Sequence, residues 1–185
     1  TDDDIDAVVE VLCGDWLTTG PTMTRFEEAL AEFVGAKYAV AVSSGTAALH
    51  LLALAHDPGF SPWRPSVRTS ALSFVATANA FKAAHYLVSF SDVEPDSGAM
   101  RWPELPSEFD FVVPVHLFGR AMPIPPAQFD GAFQKKPLVI EDACHALGAM
   151  DFDGCSRVGS CAHSLATVFS FHPVKPITTG EGGAV

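Results

Sequence analysis

The segment YAVAVSSGTAALHLLALAH, residues 38–56, contains the pattern that decides the fold. It begins with a short apolar strand, continues through a turn of small polar residues, and ends in a helix rich in alanine and leucine. A strand that runs directly into a helix through a tight turn is the repeating unit of α/β proteins. The segment therefore predicts a strand, a turn and a helix, in that order.

The same alternation continues along the chain. SVRTSALSFVATANAFKAA, residues 66–84, again changes from strand to helix, and further apolar strands are predicted at 86–93, 109–116, 137–142 and 166–171. Strands that alternate with helices pair in parallel and are covered by helices on both faces. We therefore predict an α/β fold with a mainly parallel sheet, in which the proline- and glycine-rich stretches 56–66 and 118–137 are loops or short helices.

Residues 1–35 precede this alternation and form a predicted helical segment. Apolar residues at helical spacing predict a first helix, and Gly14 follows where it would end. Thr24 and Glu27 have the spacing of a capping box, so they predict the start of a second helix that ends at Gly35. The loop between the two helices contains Thr19, Gly20 and Pro21.

Composition limits the classes of function. The net charge of -11 provides no basic face for nucleic acid or an anionic membrane. The four cysteines form no CxxC pair, and no histidines stand at metal-ligand spacing from them. We therefore predict no metal site and a reduced, cytoplasmic location. No signal peptide and no apolar stretch approaching the ~20 residues of a membrane span are present in this sequence. Small molecules or other protein chains are the expected partners.

Two candidate sites lie where predicted strands end. Ser44, Gly45 and Thr46 precede a helix, where free backbone N–H groups and the helix dipole favour a phosphate, although small-residue turns also occur without ligands. Asp142 ends the strand VIED, where open parallel sheets form ligand crevices, but a carboxylate there also serves as a helix cap. His145 follows it and by itself is compatible with a structural histidine.

Lys175 lies in FSFHPVKPITTGEGG, residues 169–183, an otherwise apolar segment that leads into a turn. A desolvated lysine amine is nucleophilic and condenses with a carbonyl, whereas a hydrated one is protonated. The alternative is a surface lysine flanked by prolines. A phosphate turn, an acid at a strand end and a later lysine match the phosphate, pyridine nitrogen and aldehyde of pyridoxal phosphate. The combination therefore predicts a site for this cofactor.

Six blocks of the sequence, taken together, resemble the DegT/DnrJ/EryC1/StrS family of pyridoxal-phosphate-dependent sugar aminotransferases. They are residues 16–54, 73–81, 90–100, 114–120, 139–149 and 169–185, in the order found in that family. The resemblance implies the large domain of the fold-type-I transferases. The last two blocks, together with VGSCAHS at 158–164, most resemble the branch of flagellin glycosylation and pseudaminic acid formation, the UDP-4-amino-4,6-dideoxy-N-acetyl-beta-L-altrosamine transaminases.

The resemblance also implies roles for single residues. Lys175 matches the lysine that bonds to the cofactor and moves a proton, and Asp142 matches the acid that keeps the pyridine nitrogen protonated. The other implied cofactor contacts are Ser44, Gly45, Thr46 and Ser170 at the phosphate, Phe74 stacked on the ring, and His145 near the phenolic oxygen. Thr19, Gly20 and Pro21 correspond to an entrance loop with a part in sugar-nucleotide binding.

The activity implied is transfer of an amino group from glutamate to a nucleotide-linked 4-keto-6-deoxy sugar, with UDP as the expected nucleotide, for cell-surface polysaccharide. A homodimer is implied for the intact enzyme. Two alternatives stay open at this point. Some relatives are sugar dehydratases with a histidine in place of the lysine, which Lys175 argues against, and a non-catalytic binding or regulatory chain is the other.

Family subunits are roughly twice as long as this sequence. We therefore expect residues 1–185 to be the N-terminal part of the large domain, without the small C-terminal domain. Ala184 and Val185 resemble the opening of a strand. We expect the unfinished sheet to leave an exposed edge and an uncovered apolar face, unless a second chain covers them.

Overall fold

The computed structural model describes residues 1–56, 64–103, 108–124 and 137–185. Within these ranges the helices are α1 (Asp2–Cys13), α2 (Pro21–Val34), α3 (Gly45–His56) and α4 (Ala76–Ala83), with a short 3-10 helix at Leu117–Gly119. The strands are β1 (Ala41–Val42), β2 (Ser66–Ser70), β3 (Leu87–Ser91), β4 (Phe111–Val113), β5 (Leu138–Asp142), β6 (Ala166–Ser170) and β7 (Gly183–Ala184). Most of the two predicted loops, at 57–63 and 125–136, lies outside the described residues.

The seven strands form one sheet in the order β1-β7-β6-β5-β4-β2-β3. The pairs from β6 through β5, β4 and β2 to β3 are parallel. Only β7, among the described strands, runs antiparallel to its neighbours, β1 and β6. The predicted α/β class with a mainly parallel sheet is therefore confirmed.

The last strand, β7, lies inside the sheet. Ala184 pairs with Ala41 of β1 on one side and with Phe169 of β6 on the other. Val185 and Val40 exchange two backbone hydrogen bonds of 2.9 and 3.0 Å. The prediction of a strand at Ala184 is confirmed, and both sides of this strand are paired. The edges of the described sheet are β1 and β3.

Helices cover both faces of the sheet, as predicted. Val168 and Phe169 are successive residues of β6, so their side chains point to opposite faces. Val168 belongs to a buried cluster with Leu49 of α3 and Phe81 of α4. Phe169 belongs to a second buried cluster that contains Leu30 of α2. The sheet is thus packed between α3 and α4 on one face and α2 on the other.

The predicted helix ends agree with the structure better than the predicted starts. α1 ends before Gly14, and α2 ends before Gly35, whose φ of 82° is left-handed. α2 begins at Pro21, a residue whose fixed φ suits the first helical position, and not at Thr24. The capping-box prediction is wrong, because the Glu27 carboxylate accepts a hydrogen bond of 2.8 Å from the Ala41 N–H of β1.

None of the helices in the described segments has the length and apolar character that a membrane span requires.

Candidate active site

The segments that follow the strands meet where the parallel strands end. This carboxyl-terminal edge of the sheet is distinct from the edge strands β1 and β3. The carboxyl ends of β1, β2, β4, β5 and β6 point toward this edge, and the antiparallel β7 begins there. Ligands of open α/β sheets bind in the crevice outside these strand ends. A cavity of about 410 Å³ opens at the edge. Its lining includes Ser44, Gly45, Thr46, Phe74, Asp142, His145, Ser170 and Lys175, which are the predicted cofactor residues.

Asp142 is the last residue of β5 and is 5% exposed. Its Oδ2 accepts a hydrogen bond of 2.6 Å from the Thr77 hydroxyl, and its Oδ1 accepts one of 3.2 Å from the Cys144 N–H. A buried carboxylate needs such partners, because leaving an ion without hydrogen bonds in a protein interior is costly. The carboxylate is therefore held in one orientation while it still lines the cavity.

Lys175 lies in the turn that follows β6, not within the strand itself. Its backbone N–H donates to the His172 carbonyl at 2.9 Å, and its side chain lines the cavity. The described residues provide no hydrogen-bond or ion-pair partner for its Nζ. Lys175 therefore lines the same cavity as Asp142, and the described residues give its amine no hydrogen-bond or ion-pair partner.

The first turn of α3 faces the cavity from another side. Ser44 caps this helix, since its hydroxyl accepts a hydrogen bond of 3.1 Å from the Ala47 N–H. The N–H groups of Gly45 and Thr46 are in the first turn, where a helix offers them no internal acceptor. The positive end of the helix dipole lies at the same point. The turn can therefore bind an anionic group.

Gly45 is packed so closely that a side chain does not fit. A Cβ at this position would lie 2.8 Å from Cys144 Sγ and 3.1 Å from Ser170 Cβ. The α3 turn thus packs against Cys144, which follows β5, and Ser170, the last residue of β6. Behind it, a Cβ on Gly183 would lie 2.4 Å from the Ser44 carbonyl carbon. The two glycines allow the α3 turn, Ser170 and β7 to pack against one another.

His145 lines the cavity next to the 3-10 helix. Its Nδ1 accepts a hydrogen bond of 3.4 Å from the Phe118 N–H, and the two rings lie at 15° with their centroids 6.3 Å apart. Burial lowers the pKa of His145, and the nearby charge of Lys175 lowers it further. The imidazole is therefore neutral at pH 7, with Nδ1 occupied and its other nitrogen available.

Phe74 lies in the loop between β2 and α4. Its ring is 70% exposed and lines the cavity. A large exposed aromatic ring at the wall of a cavity has a free face for stacking. The predicted stacking residue therefore lies beside the predicted acid and lysine.

Thr19, Gly20 and Pro21 are not part of this cavity lining. Gly20 and Pro21 form the start of α2, and Thr19 precedes them with a φ of 45°. This chain by itself does not bring the predicted entrance loop together with the other site residues. The proposed part of these three residues in substrate binding stays a prediction.

Several residues of the site were not predicted from the sequence. Thr77 contacts Asp142 across 65 residues of sequence, and Cys144 lines the cavity directly beside it. Burial raises the pKa of the Cys144 thiol, and the Asp142 charge raises it further, so the thiol stays protonated. Cys144 lies two residues after Asp142 in the motif VIEDACHALGA, so the sequence could have indicated that it lies near the site. No local pattern distinguishes Thr77 from other threonines.

These groups together suit one kind of ligand. The cavity offers an anion site at α3, a buried carboxylate, a lysine amine and an aromatic face. A ligand with an anionic group, a basic ring nitrogen and a carbonyl carbon has one partner for each of them.

Comparison with known proteins gives consistent matches over almost the whole chain. It is 38% identical over 188 residues to UDP-4-amino-4,6-dideoxy-N-acetyl-beta-L-altrosamine transaminase of Campylobacter jejuni subsp. jejuni serotype O:23/36 (strain 81-176), covering 98% of this chain and 48% of that protein. It is 35% identical over 188 residues to UDP-4-amino-4-deoxy-L-arabinose--oxoglutarate aminotransferase of Shewanella sediminis, covering 97% of this chain and 45% of that protein. The chain thus spans about half the length of these relatives.

The fold matches solved structures as well. Spr1654 from Streptococcus pneumoniae, in its PLP form, superposes with a TM-score of 0.86 and 26% identity. This match covers 100% of the chain and 50% of Spr1654. The fold is therefore that of the fold-type-I large domain predicted from the sequence. The family model matches this chain over all of residues 1–185. The chain therefore belongs to the DegT/DnrJ/EryC1/StrS aminotransferase family.

Proposed function

We propose that the protein containing this chain is a pyridoxal-phosphate-dependent aminotransferase that transfers an amino group from glutamate to a nucleotide-linked 4-keto-6-deoxy sugar. The observation that carries the proposal is that Lys175, Asp142 and the first turn of α3 line one cavity. They come from three separate segments of the sequence, and each has the chemistry that one part of the cofactor requires.

The residues present fit the cofactor. The N–H groups of Gly45 and Thr46, together with Ser170 in the same cavity lining, suit its phosphate. The Asp142 carboxylate suits the pyridine nitrogen, and the Phe74 ring suits the face of the pyridine. Pyridoxal phosphate, when bound, supplies an aldehyde that condenses with amines and a protonated ring that withdraws electrons. Glycine at position 45 lets the α3 turn pack against Cys144 and Ser170 of the same lining.

Each catalytic residue then has a defined task. Asp142 is a fixed negative charge that keeps a proton on the ring nitrogen. The Nζ of Lys175 is the covalent anchor, and it moves a proton to and from the substrate carbon. Neutral His145 uses its Nδ1 to accept from the Phe118 N–H, so its remaining ring nitrogen would be the atom to face the phenolic oxygen of the bound cofactor. Glutamate supplies the amino group in one half-reaction, and the keto-sugar receives it in the other.

The relatives support the choice of substrates. One is named for UDP-4-amino-4,6-dideoxy-N-acetyl-beta-L-altrosamine and another for a UDP-linked amino-arabinose and oxoglutarate, the keto acid of glutamate. On this basis we propose a UDP-linked keto-sugar as acceptor and glutamate as donor, with Thr19, Gly20 and Pro21 in the loop that admits the sugar nucleotide. The intact enzyme is proposed to be a cytoplasmic homodimer. The exposed apolar residues Ile5 and Leu12 of α1 offer a surface that a second subunit would cover.

The test follows both half-reactions in the protein at its natural length. Glutamate is added to the cofactor-loaded protein, and the release of oxoglutarate is measured. UDP-, dTDP- and GDP-linked 4-keto-6-deoxy sugars are then supplied as acceptors. We expect oxoglutarate release and amination of the UDP-linked sugar, with both absent in Lys175→Ala. Amination of only dTDP- or GDP-sugars would overturn the choice of nucleotide. Loss of the sugar's 3-hydroxyl without amination would instead identify a dehydratase.

A further inference from the structure

The hydroxyl of Thr77 reaches the carboxylate that the proposed function places at the pyridine nitrogen. Thr77 is in the first turn of α4 and is 1% exposed. Its Oγ1 lies 2.6 Å from Asp142 Oδ2. That length is typical of a hydroxyl hydrogen bond to an ionised carboxylate. No task in the proposed mechanism is assigned to this residue.

The direction of the hydrogen bonds follows from the number of protons. Thr77 Oγ1 lies 3.1 Å from the Phe74 carbonyl and 2.6 Å from Asp142 Oδ2, and both of these groups can only accept. We assign the single hydroxyl proton of Thr77 to the shorter contact, with the carboxylate. Ser73 Oγ lies 2.6 Å from Thr77 Oγ1 and must then be the donor in that contact. The result is a short relay, from the Ser73 hydroxyl to the Thr77 hydroxyl to the Asp142 carboxylate. It fixes which way each proton points.

Thr77 also holds the loop that presents Phe74. The backbone N–H of Thr77 donates to the Phe74 carbonyl at 3.1 Å. Thr77 is therefore bonded to the Phe74 loop through its main chain and to Asp142 through its side chain. One residue thus sets the distance between a carboxylate at the end of β5 and an aromatic ring that follows β2.

The carboxylate needs this second partner. Rotation about the terminal bond of an aspartate side chain is soft, so a single contact does not fix the plane of the carboxylate. Without Thr77, Asp142 keeps the Cys144 N–H at 3.2 Å as its remaining hydrogen bond among the contacts described above. Threonine suits this position because its β-branched side chain has few χ1 rotamers.

We propose that Thr77 is a positioning residue, which holds the Asp142 carboxylate and the Phe74 ring in a fixed relation so that the pyridine ring is oriented between them. This inference rests on the proposed function. Misplacing a reacting group slightly lowers rates strongly, and residues behind the direct contacts typically contribute roughly 10- to 100-fold.

Two substitutions separate the hydroxyl from the methyl group. Thr77→Val keeps the shape and loses the hydroxyl, whereas Thr77→Ser keeps the hydroxyl and loses the methyl. A role in packing alone predicts that serine is the more harmful change. A positioning role predicts that valine is the more harmful change, with serine restoring function.

Thr69→Val provides the matched control. Thr69 is also 1% exposed, and its hydroxyl donates a single hydrogen bond of 2.9 Å to the Val113 carbonyl. Thr69 does not line the cavity. The control therefore loses one buried hydroxyl bond of the same kind while the candidate site is unchanged.

The experiment measures the circular dichroism that the protein induces in bound pyridoxal phosphate, together with kcat and KM, in the protein at its natural length. We expect Thr77→Val to lose most of the induced signal and to lower kcat roughly 10- to 100-fold with a smaller change in KM. Thr77→Ser and Thr69→Val should stay within a few-fold of the parent protein. Ser73→Ala should have an intermediate effect.

Two results overturn the inference. One is an unchanged induced signal and kcat in Thr77→Val, and the other is a Thr77→Ser protein as impaired as Thr77→Val. If the parent protein shows no induced signal with pyridoxal phosphate, the proposed function itself fails, and the inference fails with it. A parent protein that binds and reacts while Thr77→Val is unaffected removes only the inference.

Discussion

Two neighbouring carboxylates at the end of β5 have nearly equal burial but different surroundings. Glu141 is 3% exposed and Asp142 is 5% exposed, and successive strand residues point to opposite faces of the sheet. Asp142 lines the cavity, whereas Glu141 does not. Glu141 Oε2 lies 2.7 Å from His116 Nε2, and its Oε1 accepts a hydrogen bond of 3.3 Å from the Thr167 hydroxyl.

The difference shows how one strand separates a structural acid, Glu141, from the acid that we propose binds the cofactor, Asp142. His116 Nδ1 accepts a hydrogen bond of 2.8 Å from the Met122 N–H, so the ring proton is on Nε2 and is donated to Glu141. Burial raises the pKa of Glu141, but its hydrogen bonds, chiefly from His116, outweigh burial, so the net pKa is lowered. Glu141 therefore links β5 to β6 and to the segment that follows β4, while Asp142 lines the cavity.

The largest expected effect is on kcat, which should fall when Asp142 is substituted and stay nearly unchanged when Glu141 is substituted. Asp142→Asn keeps an acceptor for the Thr77 hydroxyl but removes the negative charge at the proposed ring nitrogen. We expect kcat of the intact enzyme to fall roughly 100- to 1,000-fold, as for other lost electrostatic contacts, with folding unchanged. Glu141→Gln is the control and should keep kcat within a few-fold. Equal losses in the two variants would contradict the division of roles.

The second prediction concerns stability. Glu141→Ala leaves the Nε2–H of His116 and the hydroxyl of Thr167 without this acceptor and creates a small cavity. We expect the free energy of unfolding to fall by about 3 kcal/mol, measured by urea denaturation. Glu141→Gln retains an acceptor and should lose about 1 kcal/mol. A Glu141→Ala protein as stable as the parent would show that this acid has no structural role.

A smaller effect is expected for Thr167→Val, which removes the hydroxyl donor of the longer hydrogen bond to Glu141. The expected loss is about 1 kcal/mol in the free energy of unfolding. A double-mutant cycle with Glu141→Ala, which removes the acceptor, isolates the pair, and the two losses should not be additive. Strict additivity would mean that Thr167 stabilises the fold by another contact.

The smallest effect is a dependence on pH. Because the pKa of Glu141 is lowered below its ordinary value of 4.5 in the folded protein, the unfolded chain binds its proton first. The stability contributed by Glu141 is therefore complete above about pH 4.5 and is lost as the pH falls through the folded-state pKa. The stability difference between the parent and Glu141→Gln should narrow as the pH falls. A difference that stays constant over this range contradicts the lowered pKa.

Much of the candidate site was predictable because it depends on strand ends. Asp142 ends a strand, and Gly45 and Lys175 follow strands, that local apolar patterns identify, and parallel strands bring their carboxyl ends to one edge. Ser170, the last residue of β6, was expected at the site only through the family resemblance. The α/β class follows from the same alternation. These predictions needed the order of strands and turns but no knowledge of individual contacts.

The parts that were missed depend on contacts between distant segments. The bond from Thr77 to Asp142 joins residues 65 apart, and that from His116 to Glu141 joins residues 25 apart. The Glu27 carboxylate bonds to β1 and not to its own helix, which the capping-box spacing does not reveal. The interior position of β7 was missed for a similar reason, because a short terminal strand has no local signal for which strands it joins.

The central claim is that one cavity unites Lys175 with the acid and the anion site around a bound cofactor. The most direct test is to load the protein at its natural length with pyridoxal phosphate, reduce it with borohydride and map the modified peptide by mass spectrometry. The account predicts the reduced cofactor on Lys175 and no label on the other lysines within residues 1–185, which are Lys37, Lys82, Lys135 and Lys136. A cofactor mass on one of those lysines, or on none, contradicts it.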